Sequence, residues 1–247
     1  MIWLREGGAN TSRMGVAAVG SPTLNGMRAP LTEEVLEEKV ARASAAGAEG
    51  HRQLAAQLLA WAEHPHERDE VSTADLLVSA GEQFALAKDH ARALDAYRAG
   101  AACEVATSPD PRGFMVQALL DLGRTRQAQE LSEELRRTRP ATPETYHLVG
   151  EAWEAAGDLD SANRWLTRGV LLAESQGDQM AWAMLLLGRL RVRRALGFPP
   201  DDYDQAALDI MQDSIGDGAA EEDDDAAPTP THAVVTRQGE HTVLDLF

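Results

Sequence analysis

A chain of 247 residues with 23 basic and 40 acidic side chains carries a formal charge of −17, a balance that opposes broad contact with phosphate backbones. Its 42 Ala and 29 Leu far outnumber 14 Val and 3 Ile, which favours helices over strands because β-branched residues suit sheets. A single cysteine, Cys103, excludes an internal disulfide framework, and no apolar run reaches the ~18 residues that a bilayer requires.

Residues 1–30 contain Gly7, Gly8, Gly15, Gly20, Gly26, Pro22 and Pro30. That density of breakers predicts a disordered extension. The apolar stretch Val16–Val19 is too short for the core of a secretory signal, so the cytoplasm is the expected compartment. Met14 and Met27 are alternative starts ahead of the first helical pattern. Thr32 is placed to cap a helix whose first turn holds Glu33 and Glu34, with Val35, Leu36, Val40 and Ala43 as its apolar stripe. Leu54, Leu58, Leu59 and Trp61 mark a second helix, which Pro65 ends. The His64-Pro65-His66 cluster has metal-like residues, but no third ligand stands at a fixed spacing, and it reads as a solvated loop.

From Ala74 the pattern repeats. Ala80-Gly81, Phe84, Ala93 and Tyr97 are followed 35 residues later by Met115-Val116, Leu119 and Ala128, and 34 later again by Val149-Gly150, Trp153, Ala162 and Leu166. Turn signals separate the two helices of each unit at Lys88-Asp89, Gly123-Arg124 and Gly157-Asp158. A further step reaches Met180, Ala183, Met184 and Leu187, where the first helix persists and the turn is lost. Small residues let two helices approach, large ones fill the gaps, and a hairpin of this kind buries its apolar face only against a neighbour. The predicted units are 74–108, 109–142 and 143–176, with degenerate flanks at 31–64 and 177–215. In the last flank Pro199 and Pro200 stop one helix and an Asp pair caps the next, whose stripe is Tyr203, Ala206, Ala207, Ile210, Met211 and Ile215. Residues 216–232 form an acidic, Pro-Thr linker. Residues 233–247 are β-prone, and read equally as a small hairpin, a docking motif anchored by Leu244, Leu246 and Phe247, or plain disorder.

This order of large and small positions resembles the tetratricopeptide repeat family, closely from Ala74 to about Gln176 and loosely to Leu196. The second unit departs from it at Arg112 and Ser132, where the family carries large apolar residues. The resemblance implies an all-α fold, a right-handed α-solenoid of stacked helix–turn–helix hairpins, that binds other proteins without catalysis. It also implies a concave groove lined by the first helix of each hairpin. Carried over position by position, that groove includes Asp75, Glu82, Gln117, Asp121, His147, Glu151 and Glu154. With Asp110, Glu144 and Asp178 it gathers eight acids against one cation, Arg189. The Lys, Arg and Asn residues by which chaperone-binding members hold a peptide carboxylate are missing from these positions. Charge complementarity therefore favours a basic or amphipathic peptide segment of another protein as partner.

No GxxxxGK[ST], GxGxxG, GxSxG or HExxH motif occurs. Cys103 reads as a small packed hydrophobe, no catalytic constellation emerges, and no metal or cofactor is expected. The arginines, 21 against 2 lysines, are biased as in GC-rich, bacterial genomes. They cluster at Arg136, Arg137 and Arg139, at Arg164 and Arg168, and in the run Arg189, Arg191, Arg193 and Arg194, which read as helix-end or solvated surface; the last run is also an expected receiver for the acidic segment Glu221–Asp225. An alternative function is a repeat-based regulator of a transcription or stress-response partner whose binding the acidic tail modulates. Charge has an address: 198–247 holds 13 acids and 1 base, whereas 32–197 holds 26 acids and 19 bases.

Overall fold

The structure is a computed structural model that describes residues 28–218, with side chains as far as residue 212. Among these residues there are ten helices and no strand. They are α1 (Glu33–Ala45), α2 (Gly47–Glu63), α3 (Thr73–Leu86), α4 (His90–Ala101), α5 (Pro111–Asp121), α6 (Thr125–Thr138), α7 (Pro143–Ala155), α8 (Leu159–Gln176), α9 (Gln179–Ala195) and α10 (Asp202–Gly218). The expectations for residues 1–27, the linker beyond Gly218 and the β-prone tail fall outside the described residues. Within them, no helix is long and apolar enough to cross a membrane.

Consecutive helices pack on one another except α6 and α7, and α7 packs instead against both α5 and α9. The core runs through all the pairs, from Leu54 and Leu58 through Phe84, Leu94 and Leu135 to Leu166, Leu185 and Val192. Helix starts follow local chemistry. Thr32 Oγ1 accepts from the Val35 N–H, and Ser72, Asp89, Asp110, Asp158 and Asp178 cap their helices in the same way.

Five turns share one geometry; Gly177 and Gly197, at φ 70° and 72°, carry it after α8 and after α9, and the other three lie within the predicted units. The residues at φ 61°, 69° and 81° are Lys88, Gly123 and Gly157. In each turn that residue donates to the carbonyl three back and its successor to the carbonyl five back: Lys88 to Ala85 and Asp89 to Phe84, Gly123 to Leu120 and Arg124 to Leu119, Gly157 to Glu154 and Asp158 to Trp153. Lys88 alone of the three has a Cβ to strain there. Lys88→Gly is expected to stabilise the fold by about 0.5–1 kcal/mol, read as a rise of about 2 °C in the thermal midpoint.

A second irregularity follows the same turn. Asp89 and Asp158 cap α4 and α8, but Arg124 has near-identical backbone angles and caps nothing. Arg124→Asp is expected to add about 1 kcal/mol, measured as an upward shift of the urea midpoint at constant slope.

The two sequence departures in the second unit have physical reasons. Arg112 grips Asp110 through Nη2, 2.7 Å from Oδ2, and reaches Glu134 at 3.4 Å and Thr138 at 3.3 Å, tying α5 to α6. Ser132 accepts from the buried Trp153 indole N–H at 3.1 Å, so a small polar residue completes the site of a large neighbour. The His64–His66 segment is a loop, as expected. Asp69 organises it, accepting from the Leu31 and His66 N–H groups and from Arg28, which holds its carboxyl down at a pKa of about 2.

Candidate partner-binding face

Successive capping and periodicity place Glu82 on α3, Gln117 and Asp121 on α5, and His147, Glu151 and Glu154 on α7. The structure gathers them into two clusters. In the first, the Gln117 amide donates to Asp121 Oδ1 at 3.1 Å. His90 Nδ1 of α4 faces Asp121 Oδ2 at 3.2 Å, without the alignment of a hydrogen bond. Tyr97, buried and stacked on Phe114 with centroids 5.1 Å apart, lies beside them. Burial first, then the charges of Glu82 and Asp121, push its phenol pKa up.

The second cluster spans α7 and α9. Arg191 forks onto Glu154, with Nε and Nη2 each 2.7 Å from a carboxylate oxygen, and its Nη2 lies 4.0 Å from Glu151. His147 Nε2 stands 3.5 Å from Glu151 Oε1. Burial lowers the His147 pKa; Glu151 opposes that and Arg191 adds to it. The fork in turn raises the Arg191 pKa, with the Glu154 hydrogen bonds the largest cause. Among the described residues no hydrogen bond or ion pair joins the two clusters.

Several of the eight carboxylates expected in the groove are engaged by groups of the chain itself. Asp75 is occupied at the start of α3, where it accepts the Ser72 hydroxyl at 2.7 Å while its own N–H returns to Ser72 Oγ. Asp110 and Asp178 are N-caps. Glu151 and Glu154 share an arginine. Arg189, assigned to the groove, is 5% exposed and turns the other way, donating to Thr167 on α8 and to Asp201 and Asp204. The face is mixed in charge, negative around Asp121 and balanced around Glu154.

The reading from sequence missed Arg191, His90 and Tyr97. Two residues of helix separate Arg189 from Arg191 by about 200°, so one arginine of the run had to face α7 if the other faced inward; that was the signal available. The caps were also legible, because Asp110 and Asp178 directly precede helical patterns and Ser72-x-x-Asp75 is a capping box. Among the described residues no group of three His, Cys, Asp or Glu side chains is placed to hold a metal ion. Compared with known proteins, the chain matches no family model, no curated protein and no solved structure.

Proposed function

We propose that this chain is a non-enzymatic protein-binding scaffold, a right-handed solenoid of tetratricopeptide-like hairpins that takes a basic or amphipathic segment along the α3–α5–α7–α9 face. The observation that carries the reading is the packing of alternate helices, α5 on α7 and α7 on α9, with polar groups of the first helices in two clusters along them. The 35- and 34-residue spacing of the turns at Lys88, Gly123 and Gly157 supports the repeat reading, since a recurrent unit stacks its neighbours in a recurrent way. A stack of this kind offers an extended surface that binds by shape and charge without covalent chemistry.

The negative end is the place for a cationic anchor. A ligand guanidinium or ammonium there would meet the Asp121 carboxylate beside the Gln117 amide, and apolar ligand residues would cover Leu86, which is 54% exposed at the end of α3. Glu154 is a poor anchor by comparison, because a ligand cation would first have to displace Arg191. The paired reversal Glu82→Lys with Asp121→Lys is therefore the informative change. Against a basic peptide selected from a random library on the native chain, the pair is expected to lose at least about 1.4 kcal/mol, a tenfold weakening, with helicity unchanged. Undiminished binding would remove the proposed face.

A further inference from the structure

The second helices carry a surface of the opposite sign. α6 ends with Arg136 and Arg137, Arg139 follows at its C-cap, and α8 presents Arg164 and Arg168 one turn apart. The two helix ends are tied together, since Gln176 of α8 donates to the Ala141 carbonyl at 2.8 Å, two residues beyond Arg139. The cations also share neighbours. Glu133 has its pKa lowered first by the Arg136 hydrogen bond and then by the charges of Arg137 and Arg168. Arg168 and Arg139 both act on the Tyr146 phenol, against the burial that raises its pKa.

The carboxylates of α6 do not neutralise this surface. Glu130 is taken by Arg126 at 2.9 Å, Glu134 by Arg112 at 3.4 Å, and Glu133 by Arg136 at 2.9 Å. Among the described residues no ion pair reaches Arg137, Arg139, Arg164 or Arg168; Arg164 holds the Ser161 hydroxyl at 2.8 Å, and Arg168 the Arg164 carbonyl at 3.3 Å. Asp160, one turn before Arg164, is the other acid of this neighbourhood. Arg137, Arg139 and Arg164 are exposed. Three of the four arginines expected to receive acids are already engaged: Arg189 and Arg193 bind Asp201 and Asp204, and Arg191 binds Glu154, which leaves Arg194, exposed at the end of α9.

We propose that the arginine face of α6 and α8 binds an acidic peptide segment, and that its occupant is the chain's own Glu221–Asp225. The consecutive carboxylates match in chemistry the four guanidiniums that no ion pair reaches, since arginine takes carboxylates through paired, charge-assisted hydrogen bonds. The segment lies three to seven residues beyond Gly218 in the sequence, a separation that extended chain covers in at most about 10–25 Å. Where a short tether spans the separation, its effective concentration is on the order of millimolar. A separate polyanion has no such advantage and meets a chain whose net charge is −17. The occupied face would hide the cations from nucleic acid and would leave the α3–α5–α7–α9 face open.

Two measurements on the full-length chain test this. A benzophenone side chain placed at Ala226 should, on irradiation at about 0.05 M salt, crosslink within residues 133–139 and 161–171, and the yield should fall about fivefold at about 0.5 M salt. Crosslinks at other helices, or a yield indifferent to salt, would overturn the assignment. The second measurement neutralises the segment (E221Q, E222Q, D223N, D224N, D225N) and follows a fluorescent hexaglutamate peptide. The variant should bind it at least about fivefold more tightly than the native chain, and adding R137S, R164S and R168S should abolish the gain. Equal affinity in native and neutralised chains, or preference of the neutralised chain for a single-stranded oligonucleotide over hexaglutamate, would equally defeat it.

Discussion

Asp204→Ala should release α10 from the rest of the molecule at a cost of about 3 kcal/mol. Asp204 is 2% exposed and Arg189 5% exposed, so the pair sits out of water. The Asp204 carboxylate accepts from Arg189 Nη1 at 2.9 Å, Arg193 Nε at 2.9 Å and the Asp201 N–H at 3.1 Å. Asp201 returns the arrangement, accepting from the Asp204 N–H and from Arg189. Removing one member leaves a buried guanidinium half-paired, which costs more than the pair itself contributes. Because α10 packs mainly against α9, the loss should appear as accelerated hydrogen exchange across 202–212 before it appears in the global transition. Asp204→Asn keeps an acceptor and should cost less. Protection in α10 that is unchanged by Asp204→Ala would show that Ala207 and its apolar neighbours hold the helix without the charges.

Acid should loosen the same junction. The Arg189 hydrogen bond, with further help from the Asp204 backbone and both arginines, holds the Asp201 carboxyl down to a pKa of about 2. A carboxyl with a folded pKa below its unfolded value stabilises fully above the unfolded pKa and loses its effect as pH falls through the folded one. The contribution of Asp201 is therefore complete above about pH 4 and fades toward pH 2. Its side chain is 38% exposed, so the change should be smaller than that of removing Asp204.

The second large effect is steric. A Cβ at Gly81 would stand 2.4 Å from the Tyr97 ring, and Tyr97 cannot retreat, being buried and stacked on Phe114. Gly81→Leu should cost about 3 kcal/mol or more in urea unfolding, whereas Gly81→Ala recovers up to about 1 kcal/mol of helix propensity and should cost less. The same contact recurs 69 residues on, where a Cβ at Gly150 would come within 2.7 Å of Leu166. Between them the second unit reverses the sizes, with Val116 at the glycine position and Ser132 at the tyrosine position. A chain carrying Gly81→Val and Tyr97→Ser copies that arrangement. Its loss should be smaller than the sum of the single losses by about 1 kcal/mol, and additive losses would mean that the two positions do not share one space.

These particulars explain how much could be read in advance. Helix existence followed from spacing and punctuation: Thr32, Pro65, Gly157, Gly177 and Gly197 stand at helix boundaries as the sequence signals predict. The all-helical class followed from composition and period. The site was less legible, for a reason that Asp75, Asp110 and Asp178 illustrate. A carboxylate near a helix start is used by the N–H groups of that helix, and carrying positions over from a resemblance does not distinguish caps from free groove acids. Arg189 and Arg191 show the complementary difficulty. Two arginines of one run face opposite sides of α9, and only packing against α7 and α10 decides which one is buried. Interactions between distant elements, such as Arg191 with Glu154 or Trp153 with Ser132, leave no local pattern in the sequence.

The binding face itself is tested most directly by hydroxyl-radical footprinting of the chain with a library-selected basic peptide bound. The account predicts protection of Leu86, Leu120 and His147, on α3, α5 and α7, while Leu171 of α8, 50% exposed, stays as reactive as in the free chain. Protection confined to α6 and α8, with Leu86, Leu120 and His147 unchanged, would contradict it.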